Sequence, residues 1–248
     1  DFLCVSELIH RGSLLHDDVI DGAHTRRGQE AANIRYGNGV AVLSGDYCLA
    51  KAVFIAATEG SYQAVTALGE AVTCMAEGEV LQLQREGNLG VSREEYLEVV
   101  ERKSAALISW AVAAAAHKVA DPVATEALTR FGRAAGIAFQ ITDDVLDFSE
   151  GTGKPTGGDI RQRKVTLPLL IAMERNPSIR ERLQSGPPSE EVTAEILVDV
   201  RATGALEMAT EHAKSLIEEA LLALDVLPEN DGRRALSALG QHLVERCY

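Results

Sequence analysis

Aromatic side chains are scarce: they make up 4% of the 248 residues, and only one is a tryptophan. With Ala, Leu and Val abundant instead, helix packed on helix is favoured over an aromatic-rich sheet. Basic charge is also short, 24 Lys and Arg against 37 Asp and Glu, for a net charge of −13. That excludes nonspecific nucleic-acid binding and polybasic membrane anchoring, so an anionic ligand would need a local cationic pocket. The four cysteines, Cys4, Cys48, Cys74 and Cys247, lie far apart with no CxxC pair and no zinc spacing, as expected of reduced thiols in a cytosolic protein. No uninterrupted apolar run reaches membrane-spanning length, and the first residues lack the basic head and apolar core of a secretory signal. A cytoplasmic protein without a transmembrane segment is the expectation.

What is present is helical periodicity. Apolar residues recur at helix spacing, as in Leu3, Leu8, Ile9, Leu15 and Val19, and strand-like alternation is rare. Helices are predicted at residues 2–22, 39–58, 61–85, 92–116, 122–148, 164–175, 190–203, 206–226 and 230–245. Ser92 and Glu95 have capping-box spacing, Pro122 suits a first helical turn, and the run EGNLG at 86–90 breaks a helix. The Gly-rich run GTGKPTGGD at 151–159 adjoins an acidic cluster and reads as a site loop, so one all-α domain is expected.

One pattern occurs twice. HDDVIDGAHTRRG at 16–28 returns as TDDVLDFSEGTGK at 142–154, an acidic turn followed by a basic loop. On a helix Asp17 and Asp21 stack on one face with Asp18 about 100° round from Asp17, and Asp143, Asp144 and Asp147 repeat the arrangement. Like charges at this spacing weaken a helix by a few tenths of a kcal/mol per pair, so folding gives no reason to assemble them. A solvated charged face explains many single clusters, but two chance copies of DDxxD in such a chain have a probability near ~0.1%. Hard divalent cations resolve the repulsion, since Mg²⁺ takes a few carboxylate oxygens and completes its shell with water and substrate phosphate. Arg26, Arg27, Lys154 and Lys164 would then meet the phosphate oxygens that the metal leaves uncovered.

These residues resemble the trans-isoprenyl diphosphate synthases, the polyprenyl synthetase family. Its pattern is DDxxD followed by RRG, FQxxDDxxD, a GK loop and KxTxP. Here these read Asp17 to Asp21, Arg26-Arg27-Gly28, Phe139 to Asp147, Gly153-Lys154 and Lys164 to Pro168. The similarity runs from residue 1 through about Ile171.

The resemblance implies an all-α bundle around a central active-site cavity, with isopentenyl diphosphate and an allylic prenyl diphosphate as the reaction partners. In that reaction the allylic diphosphate leaves with Mg²⁺ assistance, three ions being held once substrate is bound. The double bond of isopentenyl diphosphate attacks the allylic cation, and a proton departs. It further implies a homodimer.

By position, Asp17, Asp21 and Asp143 resemble direct Mg²⁺ ligands, and Asp18, Asp144 and Asp147 resemble supporting ones. Arg26, Lys103 and Lys154 resemble cations on the allylic diphosphate, and Arg27 resembles one on isopentenyl diphosphate. Ser104 and Gln140 resemble groups whose oxygens face the allylic cation, and Lys164 complements phosphate. Arg163 stands where relatives often carry Gly. The family also has an earlier GGKRxRP-type segment, whereas this chain opens inside the helix that leads to the first acidic turn, so a chain lacking N-terminal helices is expected.

Gly12 and Ser13, one turn before Asp17, with Ile9 below them, would wall the tunnel for the growing tail. A turn of ~5.4 Å is comparable to one isoprene unit, and such small residues predict a product longer than C15, in the range C30 to C50, with C20 as competitor.

Three rivals are weaker. A class I terpene cyclase would need Ser or Thr and Glu where Asp147 and Gly151 stand. A metal phosphohydrolase built on His10, His16 and Asp17 leaves the second DDxxD unexplained. A noncatalytic subunit of a heteromeric synthase would have no need to keep both acidic motifs.

Overall fold

The computed structural model describes residues 1–149 and 156–245, so Gly153, Lys154 and Cys247 lie outside the described residues. Helices dominate, as the periodicity predicts: α1 (Phe2–Ile20), α2 (Ala32–Tyr36), α3 (Asn38–Glu59), α4 (Tyr62–Arg85), α5 (Arg93–Val100), α6 (Ala106–Val119) and α7 (Pro122–Phe148). Then follow α8 (Gly158–Gln162), α9 (Leu167–Arg175), α10 (Pro177–Gln184), α11 (Glu190–Ala202), α12 (Ala205–Ala223) and α13 (Asp231–Glu245). The short α2, α8 and α10 escape the sequence reading because one turn or two shows no period. The helix expected at 92–116 is divided by a π-helical turn, Glu101–Ala105.

The end signals act as read. Ser92 and Glu95 form a reciprocal capping box on α5, and Pro122 occupies the first turn of α7.

The long, strongly amphipathic α7 is the central element, burying Phe131, Ala135, Ile141, Val145 and Phe148 among residues of α9, α11 and α12. A second apolar cluster joins α1, α3, α4 and α6 through Val5, Ile9, Ala52, Ala56, Leu68 and Trp110. Small residues let backbones approach. On α7, a Cβ at Gly136 would lie 2.6 Å from the Ala105 Cα. The π turn is thereby clamped from one side, and α4 clamps it from the other.

Between α1 and α2 the chain makes a minimal hairpin of β1 (Thr25–Arg26) and β2 (Gln29–Glu30), with Arg26 paired to Gln29. Its two-residue loop has φ of 52° at Arg27 and 76° at Gly28, the conformation that a type I′ turn needs and that Gly adopts without strain.

α3 is the element that bears on the expected absence of a spanning segment. By length and composition it is the one described helix apolar enough to cross a membrane, with mean hydropathy 1.6 over its best window and 22% of that window buried.

Candidate active site

Both acidic motifs follow one plan. In each, the second aspartate is buried and engaged by its own partners: Asp18 is 3% exposed and Asp144 3%. Asp18 Oδ1 accepts from Arg26 Nε at 2.9 Å and from the second guanidinium nitrogen as well, tying the hairpin to α1. Asn33 adds to this tie by donating to the carbonyls of Asp18 and Ala23. Asp144 accepts from the Tyr96 hydroxyl at 2.6 Å and from Gln140 Nε2 at 2.8 Å. The outer aspartates remain more open: Asp21 and Asp143 are exposed, Asp17 and Asp147 half-buried.

A cavity of about 280 Å³ brings the two motifs together. Its lining includes Asp21 from the end of α1, Gln140 and Asp144 from α7, Lys103 and Ser104 from the π turn, and Lys164 from the segment before α9. π turns recur at functional sites because they redirect side chains without ending a helix. Here the turn aims Lys103 at Glu79 of α4, with which it forms an ion pair, while Ser104 Oγ donates to Gln140 Oε1 at 2.8 Å.

The fields in this site are strong. Burial pushes the Asp17 carboxyl up to about 6; Lys103 opposes the shift, and Glu79 and Asp21 add to it. Asp159 is pushed up to about 7, first by burial, with Lys164 opposing and Asp144, Asp147 and Asp143 adding. Burial disfavours the Lys164 ammonium, yet the carboxylates of Asp159, Asp144, Asp143 and Asp147 outweigh it and hold the proton more firmly than usual. Lys164 Nζ lies 3.8 Å from Asp159 Oδ1.

Among the described residues no three carboxylate, imidazole or thiol side chains converge into a ready-made ion cage. Crowded, proton-retaining carboxylates and a buried, unpartnered Glu79 Oε1 nevertheless fit a hard cation that arrives with substrate oxygens, since Mg²⁺ seldom relies on an all-protein cage.

The comparisons agree with this chemistry. The sequence pattern of the polyprenyl synthetase family matches residues 1–200. The chain belongs to that family. It is 38% identical to the octaprenyl diphosphate synthase of Haemophilus influenzae, over 98% of this chain and 76% of that protein. To the octaprenyl diphosphate synthase of Escherichia coli it is 36% identical, over 97% of this chain and 77% of that one. Among solved structures, a decaprenyl diphosphate synthase from Rhodobacter capsulatus superposes with a TM-score of 0.92 at 35% identity, over 98% of this chain and 78% of that one. A polyprenyl synthase from Caulobacter crescentus, complexed with calcium and isoprenyl diphosphate, also gives 0.92, at 37% identity over 98% and 77%. The polyprenyl synthetase likeness thus extends past Ile171, where the recognisable motifs end. As a polyprenyl synthetase, the chain is a trans-prenyltransferase acting on isopentenyl and allylic diphosphates.

The polyprenyl synthetase motifs meet the structure unevenly. Lys103, Ser104, Gln140, Asp21, Asp144 and Lys164 share the cavity lining. Arg26 is engaged by Asp18, and exposed Arg27 sits at the hairpin tip. Asp147 accepts from the backbone N–H groups of Gly158 and Asp159, at 3.3 and 3.0 Å, and so ties α8 to α7. Arg163 adopts φ of 54°, the region that Gly favours, and its guanidinium reaches the Gly87 carbonyl at 3.2 Å. The chain path suited to Gly is therefore kept despite the Arg.

His16 faces α3, with its ring nitrogen 3.1 Å from both the Val42 carbonyl and Asp46 Oδ1, away from any carboxylate–imidazole metal set.

Gly12 also faces α3. A Cβ there would lie 3.0 Å from the Gly45 carbonyl oxygen and 3.2 Å from the Cys48 Cβ, while Ile9 is buried in the second apolar cluster. Ser13 is half-buried and donates to the His10 carbonyl.

Sequence reasoning passed over Glu79, Tyr96 and Asp159. Each carried a faint signal: a charge inside the apolar stretch GEVLQL, a rare aromatic seven residues before Lys103, and an acid closing the Gly-rich loop.

Proposed function

We propose that the protein elongates an allylic diphosphate with isopentenyl diphosphate to a trans-polyprenyl product longer than C15, within C30 to C50. The observation that carries this reading is the shared cavity, where Asp21 of the first motif and Asp144 of the second flank Lys103 and Lys164. The names of the octaprenyl and decaprenyl relatives support the longer products.

Asp17, Asp21 and Asp143, the more open first-motif acids and the exposed leading acid of the second, would hold Mg²⁺, three ions in all with substrate bound. When bound, the metal supplies charge neutralisation for the departing diphosphate. Asp18, Asp144 and Asp147 have protein partners already, which favours a supporting role: they fix the hairpin, the cavity wall and α8. Lys103 and Lys164 offer fixed positive charge to the diphosphate, Arg26 and Arg27 border it from the hairpin, and Lys154 belongs to the same basic set. Ser104 turns its oxygen toward the carbon that becomes cationic, and the Gln140 carbonyl supports it by accepting the Ser104 hydrogen. Such preorganised electrostatics replaces a nucleophilic side chain.

A homodimer is the assembly we favour. Val40, Leu43, Tyr47 and Phe54 recur at helix spacing along α3 and are all more than half exposed, an apolar stripe suited to a second copy. The strongly acidic chain and its unpaired cysteine spacing support action in the cytoplasm.

Incubation of the purified chain with labelled isopentenyl diphosphate, an allylic primer and Mg²⁺, followed by chromatography, tests the reading. Products of C30 to C50 are expected. A C15-only output overturns the length assignment, and no turnover by the chain alone points to a noncatalytic subunit.

A further inference from the structure

Tyr96, Asp144, Gln140 and Ser104 form one hydrogen-bonded row on the cavity wall. Tyr96 donates to Asp144 Oδ2 at 2.6 Å, Gln140 Nε2 donates to Asp144 Oδ1 at 2.8 Å, and Ser104 Oγ donates to Gln140 Oε1 at 2.8 Å. All four residues line the cavity that also holds Asp21, Lys103 and Lys164.

Chemistry fixes the direction of each bond. A carboxylate only accepts, so both groups that meet Asp144 must present hydrogens. Gln140 therefore turns its NH₂ toward Asp144 and its carbonyl toward Ser104. Ser104 gives its single hydrogen to that carbonyl, which leaves only oxygen lone pairs for the cavity.

We propose that Tyr96 is a positioning residue which, through Asp144 and Gln140, sets the polarity of the Ser104 hydroxyl so that oxygen faces the developing allylic cation. This deepens the prenyltransferase reading and rests on it. The phenol is 5% exposed and holds one carboxylate oxygen in place, so the other oxygen stays on Gln140. Without that hydroxyl, Asp144 is free to turn toward the Lys164 ammonium, whose charge it already feels. The Gln140 amide can then rotate and offer NH₂ to Ser104, and the Ser104 hydrogen swings into the cavity. A dipole that stabilised the cation would now oppose it.

The alternative is that the Tyr96 hydroxyl only satisfies a buried polar pair. A double-mutant cycle between Tyr96→Phe and Ser104→Ala separates the two, read as kcat and both KM values with labelled isopentenyl diphosphate and an allylic primer. Tyr96→Phe is expected to lower kcat about 10- to 100-fold with both KM values held within about twofold, as for loss of one preorganised dipole. In the Ser104→Ala background the same exchange is expected to cost less than about threefold.

Additive losses, or a Tyr96→Phe enzyme that melts earlier but keeps its kcat, overturn the relay while leaving the prenyltransferase reading intact. A wild-type chain without turnover removes that reading and the relay with it. Should Tyr96→Phe not fold, Tyr96→Met, which also lacks the hydroxyl, takes its place in the cycle: non-additivity with Ser104→Ala supports the relay, and additivity overturns it.

Discussion

Gly78 and Lys103 meet backbone to backbone: a Cβ on Gly78 of α4 would lie 2.6 Å from the Lys103 amide nitrogen. Lys103 owes its position to that missing atom. Gly78→Ala is expected to push the π turn away from α4, costing about 1–3 kcal/mol as other overpacked contacts do. Thermal melts and kcat should fall together, since the same displacement moves Lys103 and Ser104. A variant with unchanged melting and kcat would show that the turn holds itself.

Asp17 and Asp18 are neighbours with opposite expected phenotypes. Burial raises the Asp17 carboxyl to about 6, so its folded pKa lies above its unfolded one and its charge burdens the free protein as pH rises through 6. Asp17→Asn should therefore raise the melting temperature of metal-free protein at pH 8 while abolishing Mg²⁺-dependent turnover. Asp18→Asn weakens the tie to Arg26 and should lower stability by about 1.5–3 kcal/mol, the range for a hydrogen bond to a charged group. Melting curves with and without Mg²⁺ distinguish the two.

Asp159 carries the same sign at higher pH. Its carboxyl is raised to about 7, so the folded protein binds more protons than the unfolded chain between about pH 4 and 7. Stability of the metal-free protein should consequently increase as pH falls from 8 through 7, and this gain should shrink in Asp159→Asn. Calorimetry at pH 8 and pH 6 reads the difference directly.

Leu43 stands 68% exposed on the outer stripe of α3. A charge placed there should be tolerated by an isolated chain and not by a dimer closed over that stripe. Leu43→Glu is expected to halve the mass seen by sedimentation without loss of helical circular dichroism.

Chain length supplies the fifth test. Gly12 presses on the Gly45 backbone, so Gly12→Phe should disrupt the α1–α3 contact and destabilise the protein before it narrows any tunnel. Ser13, half-buried and one position on, is the better probe. Ser13→Phe is expected to shorten the products seen by chromatography while the protein remains folded.

Much of this molecule was legible from local pattern. Apolar periodicity located α1, α3, α4, α7, α12 and α13 to within a few residues, because a long helix must repeat its core-facing stripe. The paired acidic motifs, with the basic residues following each, announced a cation and a polyphosphate, because no folding advantage explains such repulsion. The hairpin at Arg27-Gly28 was not legible in this way, because two-residue strands leave no alternation to detect.

The sequence by itself determined which helices form and which charges travel together, since both depend on spacing along the chain. Only the tertiary structure decided how each helix is rolled about its axis against its neighbours. That roll buries Asp18 and Asp144, leaves Asp21 and Asp143 open, and turns Gly12 toward α3. It also recruits Glu79 and Tyr96, whose partners Lys103 and Asp144 are distant in sequence, and brings Asp159 to the second acidic motif. Spacing fixes the angle between two side chains on one helix, but packing against other helices fixes which of them meets the core.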